Sequence, residues 1–285
     1  QAMTNGTHVW FTDKTIFNGP LHTNGRYNVY GNPSGIFNGK VEQHLTTTRY
    51  YNNGVPVLLN DDHNSTIDVP TFNDGFNRNV GSISLSSTVQ QQDMIDQADA
   101  GHTYSTNGIY LPSSSGTLSG GIYVRGDSAI TLSVDGSNNS VYTIVQGSTT
   151  KKITVNKTAN QTTVETVGGS TTTYNGKPDG VDKVGTLVYV NGGISSLSGT
   201  VQEDTQLTIS AKNNISISNH LRYANYTSAS GTPGAAGYVP PSVTGNDKNL
   251  LGLVTWDGDV RVATSAPNNV DIHATVLAQD GVFQV

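Results

Sequence analysis

Cysteine is absent from this chain of 285 residues. That one absence removes disulfide scaffolds, thiolate zinc sites and cysteine nucleophiles together. Charged residues are scarce at 13%, and runs of Glu, Lys or Ala that would build long helices are few. No stretch of 18 apolar residues occurs, so no segment reads as a membrane-spanning helix. No signal peptide opens the chain. No Gly-x-Ser-x-Gly elbow is found, and no glycine loop followed by lysine that would cradle a phosphate.

What is abundant is Gly, at 32 residues, with Asn, Ser and Thr, and Tyr (13) outnumbers Phe (6). Val, Ile, Leu and Tyr recur at short intervals, which excludes disorder over most of the chain. Such a composition favours short strands joined by turns.

Internal similarity comes next. Gly121-Ile122-Tyr123-Val124-Arg125-Gly126 resembles Leu187-Val188-Tyr189-Val190-Asn191-Gly192, and Gly108-Ile109-Tyr110-Leu111 is a weaker relative. Each places an apolar and aromatic strand before a turn. Further short strands follow at Gln206 to Ser210, Asn214 to Ser218, Leu250 to Trp256, Asp259 to Ala263, Val270 to Ala274 and Gly281 to Val285. Irregular repeats of this length suit an all-β fold of the β-solenoid type, with parallel β-helix-like coils and Asn or Thr ladders at the corners. A β-sandwich is the competing architecture.

Two stretches depart from this pattern. Residues 128–176 alternate apolar and polar with period two, as in Ile130-Thr131-Leu132-Ser133-Val134, with turns at Asp135-Gly136 and Gly168-Gly169. They read as an antiparallel β-hairpin excursion projecting from the solenoid. Ser87 to Ala100 reads as one short helix, with Met94, Ile95 and Ala98 on one face and Gly101 at its end. Residues Ser228 to Lys248, rich in Gly, Pro and Ala, read as a long surface loop. Gln1-Ala2-Met3 reads as a cleavage and cloning remnant, so residues 1–3 are set aside and 4–285 are taken as one solenoid domain. The expectation is an excised piece, with an export signal or anchor upstream and a strand at Gly281–Val285 that the parent protein continues.

Candidate chemistry is thin. Glycoside hydrolysis needs two carboxyls about one bond. The available clusters are Asp61-Asp62, Asp179 with Asp182, Glu203-Asp204 and Asp257 with Asp259. Nothing selects one of them, and Asp257-Gly258-Asp259 is explained as a tight turn. Asp271 and His273 would point the same way on a strand, but spacing supplies no third ligand. The reading is therefore non-enzymatic, with no catalytic residue, no metal site and no cofactor.

Charge is uneven. The net charge is −6, yet residues 151–222 carry seven Lys and Arg against five acids, or +2. Lys151, Lys152, Lys157, Lys177 and Lys183 form the densest group. They are candidates for contacting a polyanion. Their other reading is as solvated gatekeepers along exposed strand edges.

The two ends of the chain carry a resemblance. The start contains Phe17-Asn18-Gly19-Pro20-Leu21-His22-Thr23-Asn24-Gly25. The tail contains Ser218-Asn219-His220-Leu221-Arg222-Tyr223, Leu250-Leu251-Gly252-Leu253-Val254 and Asp271-Ile272-His273-Ala274-Thr275-Val276-Leu277-Ala278. These segments resemble bacterial surface β-solenoid domains carried by pilin-like proteins, in particular the competence-associated minor pilins. The middle of the chain is unmatched. The resemblance implies an extracellular place on the cell surface or a type IV pilus, and other pilins as partners. It also implies a task in DNA capture for natural competence or in surface adhesion, with double-stranded DNA as a partner. It implies no membrane contact by this segment. The alternative function is that of a polysaccharide-active β-helix enzyme.

Overall fold

The computed structural model describes residues 10–52, 55–83, 90–228, 230–231, 239, 242–243 and 248–285. Residues 1–3, Ser87 to Val89 and most of the 228–248 loop lie outside the described residues. Among the described residues the fold is mostly β, with one short helix and many parallel strands in several sheets. Contacts divide the chain into two compact units, 1–86 and 87–285, where the sequence reading has a single domain.

The first unit holds strands β1 (Ile16–Phe17), β2 (Leu21–Thr23), β3 (Asn28–Val29), β4 (Ile36–Phe37), β5 (Val41–Gln43), β6 (Thr48–Asn52), β7 (Val55–Leu59), β8 (Thr71–Phe72) and β9 (Phe76–Asn77). They form three small sheets, β1-β4-β8, β2-β5-β9 and β3-β6-β7. Ile16 pairs in parallel with Ile36 and Leu21 with Val41, each 20 residues on, and Asn28 with Arg49, 21 on. The hairpin β6–β7 then lengthens the next interval, so that Ile36 pairs with Thr71.

Strands of two residues have little hydrogen bonding of their own. Identical side chains stacked in register supply what the backbone does not. Phe17 lies flat on Phe37 at 5.7 Å and 4°, and Phe37 on Phe72 at 5.1 Å and 24°. One residue further, Asn38 Nδ2 donates to Asn18 Oδ1 at 2.7 Å, and Asn73 Nδ2 to Asn38 Oδ1 at 2.5 Å. Neighbouring strands lie about 4.8 Å apart, which suits both stacked rings and bonded amides. At the corner that follows, the backbones nearly touch. A Cβ at Gly39 would sit 2.3 Å from the Gly19 carbonyl carbon. Inside the unit, fully buried Gln43 accepts the Tyr27 N–H at 2.9 Å and donates to the Leu45 and Thr47 carbonyls. Its amide is thereby satisfied without water.

The second unit opens with α1 (Gln91–Asp99), followed by β10 (Gly108–Tyr110), β11 (Ser113–Ser114), β12 (Thr117–Leu118), β13 (Ile122–Arg125), β14 (Ser128–Val134), β15 (Ser140–Gln146), β16 (Thr149–Asn156), β17 (Gln161–Thr166) and β18 (Thr171–Asn175). It continues with β19 (Thr186–Asn191), β20 (Ile194–Val201), β21 (Gln206–Ala211), β22 (Ile215–Tyr223), β23 (Tyr226–Thr227), β24 (Ser242–Val243), β25 (Leu250–Thr255), β26 (Val260–Val262), β27 (Thr275–Ala278) and β28 (Phe283–Gln284).

A six-stranded sheet runs β10-β13-β19-β21-β25-β27, parallel except at β10, which pairs antiparallel with β13. Tyr123 and Val124 lie beside Tyr189 and Val190 on parallel neighbours. The pairing continues as a column, Ile122, Val188, Ile209, Leu253 and Val276. In the eleven-stranded sheet a matching column runs Ile194, Ile215, Val260 and Phe283. Both columns belong to one apolar core.

Helix α1 covers the other face of the six-stranded sheet. Met94, Ile95 and Ala98 pack against Tyr123, Leu187, Tyr189, Val254 and Trp256. Residues Leu187 to Val190 are therefore buried on both faces, which is why that run is apolar without alternation. The helix starts at Gln90 with a capping box to Asp93 and ends at Ala100 in the left-handed region, followed by Gly101.

Residues 128–176 form the antiparallel strands β14 to β18, with Asp135 Oδ1 accepting the turn amides of Ser137 and Asn139 at 2.9 Å each. They extend the eleven-stranded sheet, because β14 pairs in parallel with β20. Their inner residues Ile130, Tyr142, Ile144, Ile153 and Val155 join the same core as the parallel strands. The period-two pattern read from sequence thus has its apolar face turned onto the unit's own core.

Candidate anion-binding groove

Three segments of the second unit meet at one end of the hairpins. They are the β14–β15 turn, the end of β16 with Lys157 and Thr158, and the turn between β20 and β21. Buried Gln202 ties them together. It accepts the Ser140 hydroxyl at 2.6 Å and donates to the Asn138 carbonyl. Asp204, in the left-handed region, donates its N–H to Asn249 Oδ1 at 2.8 Å. Lys157 crosses this junction, its Nζ donating to the Glu203 and Asp204 carbonyls at 2.8 and 2.9 Å. Partial burial pulls the Lys157 ammonium below its ordinary pKa, the Asp204 and Glu203 charges oppose this, and nearby Lys177 adds to it.

Two clefts share Lys157 and Asp204 as a common wall. The smaller, about 180 Å³, is lined by Lys157, Lys177, Lys183 and Lys248 with Asp179 and Asp204. Four ammoniums against two carboxylates leave a formal +2. Lys183 is held 3.2 Å from Asp179, a residue 9% exposed. Among the described residues, Lys177 and Lys248 are in no ion pair. The larger cleft, about 410 Å³, is lined by Ser137, Asn138, Asn139, Asn156, Thr158, Gln202 and Glu203 beside the shared wall.

Of the five lysines singled out from sequence, Lys157, Lys177 and Lys183 converge here. Lys151 and Lys152 do not. Lys151 donates to the Ile109 carbonyl at 2.8 Å, and burial lowers its pKa. Lys152 is exposed and stands directly across from Glu165 on the neighbouring strand. Strand alternation separates these two from each other, and the length of β16 separates both from Lys157. The sequence reading missed Lys248. It lies far along the chain, just before β25, and is brought over because Gln206 pairs with Leu250.

The acidic clusters serve different ends. Asp62 pairs with Arg78 at 2.8 Å. Asp259 accepts the Val282 N–H and the Gln284 amide at 3.0 Å each, and Asn214 in turn accepts the Asp259 N–H at 2.8 Å. These are corner contacts between successive strands.

Two of the three tail segments that carry the resemblance, those at Leu221 and Ile272, meet each other through the Leu221–Ile272 bridge. Asp271 accepts from Arg222 Nε at 2.8 Å and from the Tyr226 hydroxyl at 3.2 Å. His273 lies against the Tyr223 and Tyr226 rings and accepts the Tyr223 N–H at Nδ1, 3.3 Å. Asp271 and His273 do face one side, sharing Tyr226. Among the described residues no group of three His, Asp or Glu is placed to hold a metal ion. Among the described residues, too, no helix is long and apolar enough to cross a membrane.

No known family model, curated protein or solved structure matches this chain.

Proposed function

We propose that this chain is a non-catalytic β-solenoid carried outside the cell by a type IV pilin-like protein, where it captures an anionic polymer. Three observations support the solenoid part of that reading. The parallel registers repeat at 20 or 21 residues in the first unit. Identical side chains stack along them. In the second unit two apolar columns run through neighbouring parallel strands. The resemblance at both ends of the chain supports pilin-like partners and a place at the cell surface or on a pilus.

The observation that carries the capture reading is the convergence of Lys157, Lys177 and Lys183 with Lys248 on one cleft. Duplex DNA taken up in natural competence is the first such polymer. Lysine contacts to phosphate need no base sequence and release counterions, so binding is sequence-independent and falls steeply with salt. A net charge of −6 on the whole chain keeps that binding weak. The recessed form of the cleft favours a second reading, adhesion to a surface polymer with compact anionic groups.

An electrophoretic shift of duplex DNA at two salt concentrations tests this, set beside a glycan-binding screen. The triple change Lys157→Glu, Lys177→Glu, Lys183→Glu should abolish the shift. The pair Lys151→Glu, Lys152→Glu should leave most of it, with the circular-dichroism spectrum unchanged in both. If the pair abolishes binding and the triple does not, the groove is the wrong place. Turnover of pectin-like or chitin-like polymers would replace the capture reading with the enzymatic one.

A further inference from the structure

The two clefts differ in chemistry, although they share a wall. One concentrates ammonium groups around about 180 Å³. The other lines about 410 Å³ with amides and hydroxyls, with the Glu203 carboxylate and, on the shared wall, Asp204 and Lys157. Such recesses admit a small group and the start of a chain. A duplex is a stiff rod with a charge about every 1.7 Å along its axis, and it meets surfaces rather than entering recesses of this size. Amide and hydroxyl groups have no preference for phosphate, but they match a body covered in hydroxyls, each of which donates and accepts.

We propose that the joined clefts form one binding site for an acidic sugar within a glycan. The anionic group sits among Lys157, Lys177 and Lys248, and the hydroxyl-bearing rings run along Asn138, Asn156 and Thr158. Lys183 is turned to Asp179, so it contributes less. Lys157, anchored by two carbonyls, is fixed at the junction and meets the anion without having to order its long side chain. Glu203 accepts from sugar hydroxyls at the far side and disfavours a second anionic group there. This proposal rests on the capture reading and narrows it to adhesion. A carboxylated sugar and a phosphorylated sugar share the required chemistry.

Equilibrium titrations of the full chain test it with four probes: a galacturonate oligosaccharide, its methyl ester, a phosphorylated mannose oligosaccharide and duplex DNA. The expected result is binding of one or both acidic sugars, at least tenfold weaker binding of the methyl ester, and little competition from duplex DNA. The pair Lys177→Gln, Lys248→Gln and, separately, Thr158→Ala should each weaken the acidic sugar, the lysine pair by tenfold or more. Preference between the first and third probes tells carboxylate from phosphate. If duplex DNA binds and the acidic sugars neither bind nor compete, the sugar site is wrong while polyanion capture stands. If no anion binds at low salt, both fall. If ester and acid bind equally, the lysines do not select the ligand and the proposal is overturned.

Discussion

The two units solve the same problem with different side chains. In residues 10–83 the strands are mostly two or three residues long, and the core is a stack of rings: Phe11, Phe17, Phe37, Phe72 and Phe76 with Tyr27. In residues 90–285 most strands are longer and the main core is largely aliphatic, in columns of Ile, Leu and Val, while Tyr123 stacks on Tyr189 on the face that α1 covers. Short strands bury little backbone and few side chains each, so each side chain must contribute much. An aromatic ring buries about 150–250 Å² and also gains from stacking in register. Longer strands offer several inward positions each, and a branched aliphatic at each one suffices. The second unit also gains a second buried face where α1 covers the six-stranded sheet. Parallel register can thus be held by one stack of identical residues or by a distributed one of similar residues.

The largest expected effect comes from removing the hairpins. Replacing residues 136–176 by a short linker takes away Tyr142, Ile144, Ile153 and Val155, all 2% exposed or less. At about 1.5–3 kcal/mol for each buried side chain, the loss approaches a whole domain's stability of about 5–15 kcal/mol. Cooperative unfolding of the second unit should disappear in calorimetry. A shortened protein that still melts cooperatively would show that the parallel strands suffice.

Single core changes sharpen the contrast. Phe37→Ala should cost about 3–5 kcal/mol, because that ring touches Phe11, Phe17 and Phe72. Val188→Ala in the aliphatic column should cost less, and denaturant titration of the two variants orders them. Equal losses would mean that the ring stack has no special weight. The corners come next. Gly192 resembles Gly39, since a Cβ there would lie 2.6 Å from the Gly126 carbonyl carbon. Gly39→Ala and Gly192→Ala should each cost about 1–3 kcal/mol through forced separation of the backbones. A harmless result at one corner would show that its strands are free to part.

The smallest effect is a pH dependence in the second unit. Burial lowers the pKa of His273 below its ordinary 6.5, Asp271 opposes this, and Arg222 and His220 reinforce it. The unfolded chain therefore takes up the proton first. The His273 contribution is present above pH 6.5 and is lost as the pH falls below it. The melting temperature should decline from pH 7 to pH 5, and His273→Gln should flatten that decline. An unchanged slope in the variant would assign the decline to other groups.

Much of the fold was legible in the residues. The Tyr-Val strands at Tyr123 and Tyr189 resemble each other because they are parallel neighbours in register. The period-two run over 128–176 marked antiparallel strands, and Met94, Ile95 and Ala98 marked the covered helix face. Asn ladders at corners were expected, and Asn18, Asn38 and Asn73 form one. Ile16-Phe17-Asn18-Gly19 recurs unchanged as Ile36-Phe37-Asn38-Gly39, and Thr71-Phe72-Asn73 follows it after the β6–β7 insertion. What the sequence could not show was where the hairpins end up. Alternation is the same whether the apolar face meets its own core or stands apart from it. Nor could charge density along the chain place the lysines. Lys151 and Lys152 are adjacent in sequence, but alternation sends them to opposite faces, and Lys248 arrives through parallel pairing.

The most direct measurement is a lysine footprint. The chain is labelled at its amines by reductive methylation, with and without a saturating polyanion, and each lysine is read by mass spectrometry. The expected result is protection of Lys157, Lys177, Lys183 and Lys248 together, while Lys14, Lys152 and Lys212 are labelled as before. Protection spread evenly over the lysines, or concentrated on Lys152 and Lys212, would contradict capture in the groove.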